Sequence, residues 1–141
     1  MKGDGQVGKG NWDELQTWVS DFAVHEGRQP RIMASAPITG EEDPRIDEIA
    51  VLLANLGFNV DVGPFFRKEQ ELVSNAVEND VDILLLTGIG PKERTFFTRA
   101  TEELLAGLKR SDMVLLLLEE GWEPPELKAR LQEALEQLLG P

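Results

Sequence analysis

Residues 3–10 read Gly3-Asp-Gly-Gln-Val-Gly8-Lys9-Gly10 and depart only at the last position from G-x-x-x-x-G-K-[ST], the loop that wraps phosphate in backbone N–H groups. Gly10 stands where the magnesium-binding hydroxyl belongs, and the two residues before Gly3 cannot form the strand that such a loop follows. A flexible glycine-rich tail is the expectation for 1–10. His25 is the single histidine, and the chain has no cysteine, so neither a second imidazole nor a thiolate exists to complete a transition-metal site. Near a helix end its ordinary role is to face the last carbonyls. Glu41-Glu42-Asp43 is an acidic trio at a helix start, where carboxylates complement the helix dipole. Ser35-Ala-Pro-Ile-Thr39-Gly40 offers hydroxyls and a glycine to a phosphate, but the trio beside it repels that charge. A phosphoacceptor aspartate would end the third strand, where Thr87 stands instead.

The elements that must position these residues follow from hydrophobic periodicity. Trp12, Leu15, Trp18, Val19 and Phe22 recur at helical spacing, with Asn11 or Asp13 available as a cap. A polar linker at 25–30 follows, so the expected divisions are 1–10, 11–29 (helix and linker) and 30–141 (an α/β domain). Strands are expected at 31–35, 58–62, 82–87 and 113–118. Asp43-Pro44 signals a helix start, Ile46, Ile49, Ala50, Leu53 and Leu56 line its face, and Gly57 sits where the chain must turn left-handed. Leu72, Val73, Ala76 and Val77 mark the next helix. Phe96, Phe97, Ala100, Leu104 and Leu105 mark the one after, and Pro124-Pro125 opens the last, through Leu127, Leu131, Leu135 and Leu138. The run Ile83–Leu86 does not alternate, as expected of a strand covered on both faces. Strands separated by helices imply a parallel sheet, with ligands beyond the strands' carboxyl ends. The loops at 36–43, 88–94 and 119–123 are therefore the ones to watch.

With 26 acidic and 14 basic residues among 141, the net charge is −12. That charge repels phosphate backbones and anionic lipid, so neither nucleic acid nor membrane is an expected partner. The apolar runs are far shorter than the ~20 residues that span a bilayer, and 1–10 lacks the apolar stretch of a signal peptide. A cysteine-free chain of this kind fits a reducing, cytoplasmic setting.

The stretch Leu56-Gly-Phe-Asn-Val-Asp-Val-Gly-Pro-Phe-Phe66, followed by Ala76-Val-Glu-Asn-Asp-Val-Asp82, resembles the cobalamin-binding domain of methylmalonyl-CoA mutase and related acyl-CoA mutases. The likeness runs from about Arg31 to Leu104 and more loosely to Gly140-Pro141. It implies a flavodoxin-like (Rossmann-like) parallel sheet of four or five strands with helices on both faces, plus the N-terminal helix. It also implies that such a domain holds cobalamin against a separate barrel, where the acyl-CoA chemistry takes place.

The family's D-x-H-x-x-G motif, whose histidine becomes the lower cobalt ligand, falls on Gly40, Glu42 and Arg45. Glu42 thus stands at the axial-ligand position, and a carboxylate is a harder donor without the aspartate that orients a metal-bound imidazole. The S-x-L motif bordering the slot for the nucleotide tail becomes Thr87-Gly88-Ile89, and the G-G pair that leaves that slot open becomes Leu118-Glu119 or Glu119-Glu120. The resulting expectation is a degenerate, non-catalytic domain with no cofactor and no metal, docking on a mutase catalytic subunit or another protein. Trp12 and Trp18 are either a docking face or, more ordinarily, part of the protein's own core. If cobalamin binding is retained, its residues are Gly40, Glu42, Thr87, Gly88 and Ile89. A third possibility is a small-molecule binder using Thr39, Thr87 and Arg94.

Overall fold

The computed structural model describes residues 12–37, 45–63, 65–119 and 121–140. In chain order the elements are α1 (Asp13–Glu26), β1 (Arg31–Ser35), α2 (Ile46–Leu56), β2 (Asn59–Val62), α3 (Glu69–Glu78), β3 (Ile83–Leu86), α4 (Arg94–Gly107), β4 (Val114–Leu117) and α5 (Pro124–Leu139). The strands lie in the order β2-β1-β3-β4 and every pairing is parallel. This is the flavodoxin-like arrangement, with four strands among the described residues. The chain leaves β1 toward one side and β3 toward the other, so the topological switch point lies beyond the ends of these two strands.

Side-chain alternation splits the core in two. Ile32, Ala34, Ile83, Leu85, Val114 and Leu116 face α1, α2 and α5, while Met33, Leu84, Leu86, Met113 and Leu117 face α3 and α4. Every residue of β3 is buried, which is why its run lacks alternation. Helix α1 closes one layer with Leu15, Val19 and Phe22. Trp12 and Trp18 are half-buried against that same core, so they are packing residues.

The long motif 56–66 is a set of packing devices. Gly57 ends α2 at φ 108°, and Phe58 is buried behind it. Gly63 lies so close beneath Met33 that an added Cβ would meet its sulfur at 2.8 Å. Phe66 is buried with its ring centroid 5.8 Å from that of Phe97 in α4.

Several expectations are corrected. The strand at 58–62 begins at Asn59, that at 82–87 spans Ile83–Leu86, and that at 113–118 spans Val114–Leu117. Asp13 lies inside the first turn of α1 rather than capping it, and Trp12 holds the cap position. The linker expected at 25–30 starts later, because helix α1 runs through His25 and Glu26 and Gly27 at φ 75° ends it. Leu52, not Ala50, joins the buried face of α2. Phe96 is 73% exposed, since of two adjacent aromatics on one helix only Phe97 can face the sheet. The glycine-rich stretch 1–10, Asn11 and Asp43-Pro44 lie outside the described residues.

Where the strands begin, three arginines and three aspartates interlock. Arg28 forks onto both carboxylate oxygens of Asp82 at 2.7 and 2.9 Å, and the Arg31 amide donates to Asp82 at 2.8 Å. Asp80 accepts from Arg31 and Arg110, and Arg110 reaches Asp112 and the Val81 carbonyl. The hydrogen bond from Arg110 holds the Asp112 carboxyl below the usual carboxylate range, outweighing the opposing effect of partial burial. A depressed folded-state pKa stabilises the protein above the unfolded value of about 4, and that contribution disappears as pH falls through the folded value. Asp112→Asn should therefore flatten the acid limb of a pH–stability curve below about pH 4, by less than about 1 kcal/mol for so exposed a pair. Urea midpoints measured between pH 2.5 and 6 test this, and an unchanged acid limb would refute it.

Candidate functional site

Beyond β3 the chain makes a three-residue reversal in which each residue has a separate job. Thr87 is fully buried and its amide donates to the Ser35 carbonyl at 3.2 Å, tying the β1 and β3 ends together. Its hydroxyl is buried without a hydrogen-bond partner. Gly88 adopts φ +79°, a left-handed turn that glycine makes without strain. Ile89 then drops into the α3/α4 core. The three tail-slot candidates of the sequence are thus brought to the switch point. Gly40, Glu42 and Thr39 lie outside the described residues.

Arg45, the residue before α2, reaches across to the segment after β4. Its guanidinium lies 3.8 Å from the centre of the Trp122 ring, and its Nη1 donates to the Trp122 carbonyl at 3.0 Å. Trp122 is 2% exposed and Leu118 is 1% exposed, and both join the α1/α2/α5 core. Gly121, at φ +79°, turns the chain so that the indole enters the protein, and the Trp122 amide returns to the Glu119 carbonyl at 3.0 Å. The loops after β1 and β4 are therefore joined by a cation–aromatic stack. Sequence reasoning flagged Arg45 as a changed position but missed Trp122. Its signal was an aromatic residue alone in a run of acids and a glycine.

Glu119 stays exposed and pairs with Arg94 of α4; that hydrogen bond holds its carboxyl below the usual carboxylate range. Arg94 in turn lines a groove of about 600 Å³ beside β4, to which Thr87 does not contribute. Thr87 and Arg94 are thus not brought together in that groove, and Thr39 lies outside the described residues. His25 sits exposed at the end of α1, with Nε2 3.8 Å from Glu26. It is at the edge where the strands begin, remote from the switch point. Among the described residues, no group of three histidines or carboxylates could hold a metal ion. No helix among them is long and apolar enough to cross a membrane.

No family model matches the chain. It is 35% identical over 122 residues to the methylmalonyl-CoA mutase large subunit of Streptomyces virginiae, covering 86% of this chain and 16% of that protein. It is 34% identical over 116 residues to the probable mitochondrial methylmalonyl-CoA mutase of Caenorhabditis elegans, covering 82% and 15%. With the large subunit of Porphyromonas gingivalis it shares 36% identity over 83 residues, covering 59% and 12%. The chain thus spans only about a sixth or less of these relatives. In fold it is similar to a novel cobalamin-binding protein from Desulfitobacterium hafniense DCB-2, with a TM-score of 0.53 at 13% identity, covering 89% of this chain and 63% of that one.

Proposed function

We propose that this chain, which belongs to the cobalamin-binding domains of methylmalonyl-CoA mutase and related acyl-CoA mutases, has a non-catalytic, protein-binding role and does not hold cobalamin in the family's manner. The observation that carries the reading is the Arg45–Trp122 stack. The resemblance places a side-chain-free slot for the nucleotide tail beside the end of β4, and here Leu118 and Trp122 fill that neighbourhood with core side chains. Arg45 stands at the motif's glycine position, and its guanidinium covers the indole. The residues present do not fit the group. A corrin tail entering there would have to displace a buried tryptophan.

The partner under this reading is a mutase catalytic subunit, or another protein that recognises the same fold. Hydroxocobalamin and adenosylcobalamin, each mixed in excess with the protein and passed over a desalting column, should elute away from it. The protein fraction should have no absorbance between 350 and 550 nm. Stoichiometric colour in that fraction would overturn the reading.

One observation favours a working cobalamin module instead. The buried Thr87 hydroxyl has no partner, and it stands at the hydroxyl position of the family's S-x-L motif. The same column decides between the two, and Thr87→Val separates them further. Under the favoured reading it leaves the elution unchanged, whereas a working module would lose retained colour.

A further inference from the structure

We draw no further inference here: the strongest candidate, the groove of about 600 Å³ beside β4 between α4 and α5, carries nothing, because Glu102 and Glu119 balance its arginines Arg94 and Arg130 and nothing in the structure shows what covers that edge of the sheet.

Discussion

Replacing Trp122 with alanine is expected to lower the unfolding free energy by about 3–5 kcal/mol, the range for deleting a large buried aromatic side chain. The loss has two parts. The indole is 2% exposed and shares the core beneath α1, α2 and α5, so its removal leaves a void that these three elements must collapse to fill. The Arg45 guanidinium also loses the ring it covers at 3.8 Å, although its bond to the backbone carbonyl can survive. Arg45→Ala alone should cost less, about 1–2 kcal/mol, because it removes the stack and the hydrogen bond to the Trp122 carbonyl but leaves the ring buried. A double-mutant cycle read by urea denaturation isolates the coupling. If Trp122→Ala costs under about 1 kcal/mol, the residue is not a core member and the argument against a tail slot fails with it.

Asp82→Ala should cost about 3 kcal/mol, the second-largest effect. This carboxylate is mostly buried at the start of β3 and accepts three hydrogen bonds, two from Arg28 and one from the Arg31 amide. Removing it strands a backbone donor and a guanidinium whose charge the pairing had favoured. Arg28 is one-third exposed, which keeps the figure at the lower end for a broken ion pair. The same residue fixes the path from α1 into β1, so α1 should lose amide protection in the variant before the sheet does. Asp82→Asn, which keeps an acceptor, should recover part of the loss. Equal stability of the wild type and Asp82→Ala would refute the assignment.

The sheet was legible because its signals are local. A four-residue apolar run bounded by turns, a glycine after a helical stripe and a proline at a helix start each act within one turn of chain. The motif 56–66 was the loudest signal, and its structural meaning is packing: Gly57 turns, Phe58 fills, Gly63 yields space to Met33 and Phe66 meets Phe97. Conversely, Arg28 and Asp82 are 54 residues apart and nothing near either one announces the other. Arg45 and Trp122 are 77 apart, and each looks like an ordinary surface residue until the loops are brought together. The error at Phe96 has a different cause. Two adjacent aromatics satisfy an apolar count equally well, and only the phase of α4 against the sheet chooses between them. The place of Thr87, Gly88 and Ile89 just beyond β3 was legible from the pattern of elements, but the stack that joins the two flanking loops was not.

The unequal cover of the four strands has a kinetic consequence. β3 is enclosed above and below, whereas most of β2 is exposed and, among the described residues, β1 is its one strand partner. Amides in β3 are then released to solvent only by global unfolding, while those in β2 escape by local fraying of one outer ribbon. A spectroscopic label at Val62 would therefore follow breathing of the margin while the interior stays shut, giving two separate clocks in one small molecule.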